Sequence, residues 1–106
     1  YAISGSSDET ARLWDVATRQ CISIFEAHDA SVRSVGFSPQ RGLAVSLDES
    51  GQLRVWDAST AKCIIEVPSM FKDARWSNDG EHLLIADGQE LVVCRVDHPS
   101  KSPIRT

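Results

Sequence analysis

Apolar residues along this chain fall in short alternating runs bounded by turn-forming residues, the pattern of half-buried β-strands rather than of helices. Segments 2–6, 10–14 and 20–25 read as strands, with Ser7-Asp8-Glu9 turning between the first two and residues 15–19 between the second and third. Segments 32–37, 43–47, 52–56 and 62–67 form a second group. Its first turn is Ser38-Pro39-Gln40-Arg41-Gly42, where proline removes a ladder donor, and its second is Glu49-Ser50-Gly51. Segments 71–76, 82–86 and 90–95 form a third group, with Asn78-Asp79-Gly80 and Asp87-Gly88 as hairpin turns in which glycine supplies a positive φ. The fold class expected is all-β. After Asp97 the chain is polar, holds two prolines and shows no periodicity, which predicts a linker or disordered tail over 97–106. Ser102-Pro103 has the form of a proline-directed phosphorylation site, though an unmodified tail serine is the plainer reading.

The groups repeat. Displaced by 42 positions, Ser4 falls on Ser46, Arg12 on Arg54, Trp14-Asp15 on Trp56-Asp57, Thr18 on Thr60 and Cys21-Ile22 on Cys63-Ile64. A weaker third copy aligns Phe37-Ser38 with Trp76-Ser77 and sets Cys94 where tryptophan stands in the other two. A period of a few tens of residues marks a repeat architecture, in which one unit cannot bury its apolar face alone.

These residues resemble the WD-repeat family of β-propellers. The resemblance rests on the run from Ser4 to Asp15, on Ala27-His28 where the family has Gly-His, on Val32 to Pro39, and on Val55-Trp56-Asp57. It implies consecutive four-stranded antiparallel blades of about 40–45 residues each. The expected division is a partial blade over 1–26 without its first strand, a complete blade over 27–67, a divergent blade over 68–96, and the tail over 97–106. With 106 residues the chain holds between two and three blades, whereas a closed ring takes about four to eight. The expectation is therefore an incomplete ring belonging to a longer propeller, with ring closure by self-association as the alternative.

The resemblance also implies a side-chain network inside each blade: a histidine, a strand hydroxyl, a turn aspartate and a tryptophan. In the first blade these are Ser4, Asp8 and Trp14, with Ser6 as rival for the hydroxyl. In the second they are His28, Ser46 and Trp56. The aspartate position there, six residues before the tryptophan, holds Ser50, so that either Asp48 substitutes through a different turn or the network is incomplete. In the third, Pro68-Ser69 sits near the expected Gly-His, and packing is expected to rest on Trp76, Leu83, Ile85 and Val93. Family contacts on the narrow face of the ring carry over to Ser7, Ser31, Arg33 and Glu49.

Composition narrows the function. Hydrophobic residues at 42% and charged residues at 25% are ordinary for a globular domain. A net charge of −4 lacks the basic footprint of direct nucleic-acid binding, and no apolar run approaches the ~20 residues that cross a bilayer. No leader sequence is visible. The three cysteines have no C-x-x-C or Cys/His ligand spacing, so neither a metal nor a cofactor is expected. Cys21 and Cys63 read as small hydrophobes on the outermost strands, and free thiols point to cytoplasm or nucleus. Serine, aspartate and histidine together suggest a hydrolase triad, but there is no G-x-S-x-G elbow, and these residues fall where a blade needs internal hydrogen bonds. The expected function is a non-catalytic scaffold that binds other proteins or peptides, the remainder of the same propeller among them. The alternative is a targeting or regulatory propeller module of a multidomain enzyme, associated with a kinase, an ATPase or a ubiquitin ligase.

Overall fold

The alternating runs become ten strands in a computed structural model, which describes residues 1–26, 28–68 and 71–95. Ala27, Ser69 and the 97–106 segment with Ser102-Pro103 lie outside the described residues. Strands β1 (Ala2–Gly5), β2 (Ala11–Asp15) and β3 (Gln20–Phe25) form sheet one. Strands β4 (Val32–Ser38), β5 (Leu43–Asp48), β6 (Gln52–Asp57) and β7 (Lys62–Pro68) form sheet two, and β8 (Asp73–Trp76), β9 (His82–Ala86) and β10 (Leu91–Arg95) form sheet three. Every pairing is an antiparallel meander between chain neighbours. No helix occurs among the described residues.

The sheets stack face to face, with β4 packed between β1 and β8. Strand alternation sends Leu43, Val45, Leu47, Leu53 and Val55 of sheet two onto Ala74, Leu83 and Ile85 of sheet three. The opposite face sends Ala44, Trp56 and Ala58 onto Ala11, Leu13 and Phe25 of sheet one. Sheet two is thus covered on both sides, and all six residues of β5 are buried. The same alternation fails in β10: Leu91 and Val93 are 64% and 57% exposed. Val93 therefore does not pack the core as expected; the strand turns Cys94 to it instead.

The repeat is carried by local devices. A β-bulge interrupts β2–β3 after Leu13 and β6–β7 after Val55, so Trp14 opposes Cys21 and Trp56 opposes Cys63. Each thiol donates to the carbonyl two residues on, Cys21 to Ser23 at 3.5 Å and Cys63 to Ile65 at 3.4 Å. Cys63 packs on the core, whereas Cys21 is exposed on its outermost strand. The aspartate after each tryptophan caps the following turn. Asp15 Oδ1 accepts from the amides of Ala17 and Thr18, and Asp57 Oδ1 from those of Ser59 and Thr60. The turns then close through left-handed residues at equivalent places, Arg19 (φ 63°) and Ala61 (φ 61°).

A third equivalent pair is uneven. Glu9 holds φ 75° where the next repeat has Gly51 at φ 86°. A side chain in that region costs about 1–2 kcal/mol, which glycine avoids at some cost in chain entropy. Glu9→Gly is therefore expected to raise the unfolding free energy by up to about 1 kcal/mol, and Gly51→Ala to lower it by about 1 kcal/mol or more. Urea denaturation of the two variants checks both signs.

Candidate functional site

Beneath one end of sheet two lies a chain of buried polar groups. Trp56 comes from β6, Ser46 and Asp48 from β5, and His28 from the segment leading into β4. Ser46 and Asp48 share the face of β5 that looks toward sheet one, the only direction in which alternation sets them beside Trp56. All four are nearly inaccessible: His28 is 3% exposed, Trp56 2%, and Ser46 and Asp48 0%.

The ends of this chain fix its direction. An indole N–H can only donate, and an ionised carboxylate can only accept. Trp56 Nε1 donates to Ser46 Oγ at 2.8 Å. The Ser46 hydroxyl is then left to donate to His28 Nε2, 2.5 Å away. His28 Nδ1 carries its proton toward Asp48 Oδ2 at 2.9 Å. The remaining oxygen of Asp48 accepts from the Ser50 amide at 2.9 Å, the Ser50 hydroxyl at 2.5 Å and the Gln52 amide at 3.1 Å. Four donors thus saturate the carboxylate. Burial works to raise its pKa, but the Ser50 hydroxyl, the His28 ring and the Gln52 amide outweigh that and hold it below the ordinary 3.8. Phe25 lies over Trp56 with ring centroids 5.2 Å apart, closing the network from the side of sheet one.

Above this network the turns make a rim. Ser7, Ser31 and Glu49 meet there: the Ser31 hydroxyl donates to Ser7 O at 3.4 Å, and the Glu49 amide to Ser31 O at 2.9 Å. Val32 N donates to Ser6 O at 3.0 Å beside them. Arg33 lies next to these on β4, exposed, with its guanidinium engaged toward the third sheet. Nε donates to Asp48 O at 3.3 Å, and Nη2 donates to Phe71 O at 3.0 Å and Lys72 O at 2.7 Å. Among the described residues no group of histidine, cysteine and carboxylate side chains could hold a metal, and no helix is long and apolar enough to cross a membrane.

Residues 19–57 match the family model described as WD domain, G-beta repeat. Over 96 residues the chain is 33% identical to the Transcription initiation factor TFIID subunit 5 of Caenorhabditis elegans, a stretch that covers 87% of this chain and 15% of that protein. It is 36% identical over 61 residues to the Denticleless protein homolog of Danio rerio, covering 57% of this chain and 9% of that one. It is also 34% identical over 59 residues to the Nuclear distribution protein PAC1 of Arthroderma otae, covering 56% and 13%. The chain belongs to the WD-repeat family. It spans less than a sixth of the length of these relatives, and its sheets are consecutive antiparallel blades of the WD-repeat kind.

In WD-repeat terms the second blade closes its network through Asp48, eight residues before Trp56, and not at the expected position, which Ser50 occupies. The reason is a transposition. Ser6-Ser7-Asp8 in the first blade stands where the second has Asp48-Glu49-Ser50. In both, the third residue donates its amide to the first residue's side chain, Asp8 N to Ser6 Oγ at 3.1 Å and Ser50 N to Asp48 Oδ1. The turn is kept while its carboxylate moves two positions inward. The first blade is simpler: Trp14 Nε1 donates to Ser4 Oγ at 3.0 Å, so Ser4 and not Ser6 is the acceptor. Asp8 points away from that bond, accepts from the Thr10 hydroxyl at 2.6 Å and the Thr10 amide at 3.0 Å, and is held below its ordinary pKa by them. Sequence reasoning missed the fastening role of Arg33. Its one signal was a charged residue between the apolar positions of an innermost strand.

Two outcomes follow from this geometry. Trp56→Ala is expected to cost about 3–5 kcal/mol of stability, as for large core truncations, and Trp14→Ala, whose bond is exposed, less than about 2 kcal/mol; thermal or urea unfolding separates the two. The depressed pKa of Asp48 sets the second. The unfolded chain binds that proton first as pH falls, so the stabilisation is fully present above 3.8 and is lost as pH drops through the lower folded value. Asp48→Asn should cost about 1–3 kcal/mol at neutral pH and flatten the acid limb of the stability profile, read as urea midpoints between about pH 2 and 6.

Proposed function

We propose that this chain is a non-catalytic protein–protein interaction scaffold, part of a WD-repeat propeller that helps assemble a multiprotein complex. The observation that carries the reading is the rim of Ser7, Ser31 and Glu49, on turns whose hydrogen bonds are already made, with Arg33 of β4 beside them. A surface locked before binding gives up little conformational entropy on association. WD-repeat proteins are typically interaction scaffolds, and one relative is named as a subunit of a transcription initiation factor.

The buried network supports the same reading against an enzyme. Ser46, His28 and Asp48 have the residue types of a hydrolytic triad, but the hydroxyl is closed off from solvent and already accepts from Trp56. A nucleophile must meet its substrate and an oxyanion hole; this serine meets an indole. The partners we propose are proteins or peptides, including the remainder of the same propeller. Direct nucleic-acid contact is not among them, given a net charge of −4. Three free thiols fit a cytoplasmic or nuclear setting.

Glu49 is the cleaner probe of the rim, because its side chain is exposed while its backbone holds the turn. Arg33→Glu would read stability and binding together. Glu49→Lys with Ser7→Arg in the full-length protein should lower recovery of rim-bound partners at least about tenfold, the effect of one lost hot spot, with the unfolding midpoint unchanged. Affinity capture with quantitative mass spectrometry is the measurement, and unchanged recovery with the fold intact counts against a rim interface.

A further inference from the structure

The third blade is fastened differently from the second, and the difference points to a conformational device. Among the described residues it holds no counterpart of the histidine, hydroxyl and tryptophan chain. Cys94 stands at the tryptophan position, and the indole N–H of Trp76 is buried without a hydrogen-bond partner. What it lacks inside, it receives from its neighbour. At one end of β8, Arg33 of the second blade donates to Phe71 O and Lys72 O, and the Ser34 hydroxyl donates to Asp73 Oδ1 at 3.2 Å. At the other end, the Ser38 hydroxyl donates to Gly80 O at 2.7 Å.

We propose that Arg33 is a latch holding the third blade against the second, and that the third blade is the first cooperative unit of the described chain to open. A guanidinium reaching two successive carbonyls beyond its own blade is a charge-assisted bond pair that exists only while the blades are docked. The apolar contact between the blades, Leu43, Val45 and Leu53 against Ala74, Leu83 and Ile85, supplies most of the adhesion. The latch sets the register of β8 on β4. Segments with fewer internally satisfied polar groups open at lower free energy than the core they dock on. Opening frees the Arg33 guanidinium, already at the rim, from the third-blade carbonyls. That functional meaning rests on the proposed rim interface, whereas the latch itself rests on the hydrogen bonds alone.

Native-state hydrogen exchange on the full-length protein tests the latch without any partner. In the unaltered protein, amides of β9 should exchange at least tenfold faster than those of β5 and β6. Arg33→Met keeps the aliphatic stem and removes the donors; it should speed exchange in β8 and β9 at least tenfold further and leave β2 and β6 unchanged. Arg33→Lys, which keeps the charge but not the fork, should fall between, and it carries the test if the methionine variant does not fold. Equal protection of β5 and β9 in the unaltered protein, or Arg33 variants that leave β8 and β9 unchanged or speed every strand alike, would overturn the proposal.

Discussion

Burial of the second blade on both faces is the constraint from which the rest follows. A strand with water on one side can leave its polar side chains to the solvent; β5 has water on neither. Ser46 and Asp48 are therefore tolerable only if every donor and acceptor is matched within the protein, since an unmatched buried group costs about 1–3 kcal/mol, and more when charged. The matching is complete from the indole of Trp56 to the four donors around Asp48. The four members come from three parts of the backbone, so satisfying the chemistry fixes the relative placement of β5, β6 and the segment before β4. A core of aliphatic side chains would bury as much area and specify that placement less.

The same constraint explains how the Trp-Asp pair works. Strand alternation turns the indole of the tryptophan toward the strand hydroxyl while Leu53 and Val55 face the other sheet, and the bulge opposite it falls on β7. The aspartate beside it caps the turn that brings the next strand back. One residue completes the buried chain and the other fixes the turn that follows. Together they account for the Trp-Asp pair that the first two repeats share.

Much of this was legible in the sequence, and the limits were physical. Alternation and turn residues placed the ten strands to within a residue or two, because strand period and turn chemistry are local. His28, Ser46 and Trp56 could be paired because the first repeat supplied a template at a fixed offset. Asp48 could not be chosen over Ser50 by spacing alone. Both positions lie in one turn, and which one reaches the histidine depends on whether the carboxylate or the hydroxyl occupies the inner place. Val93 was misjudged because alternation gives two faces without saying which is covered. The engagement of Arg33 was invisible because its acceptors, Phe71 O and Lys72 O, are main-chain groups nearly forty residues away, and a carbonyl leaves no mark in a sequence.

The three blades grade in a way that the covering argument makes intelligible. The second has a neighbour on each face and needs a closed network to stay dry. In the first, Trp14 donates to Ser4 across an exposed bond. Among its described residues the third has no such chain, and the second blade reaches across to it through Arg33, Ser34 and Ser38. Internal hydrogen bonding and external fastening are alternative ways to meet the same requirement, that polar backbone and side chains near a packed interface find partners. They differ in consequence. An internal network makes a blade rigid in itself, whereas fastening from outside makes its rigidity conditional on staying docked. A surface built on the second blade can therefore serve as a fixed reference for binding, while whatever the third presents depends on the contact that holds it in place.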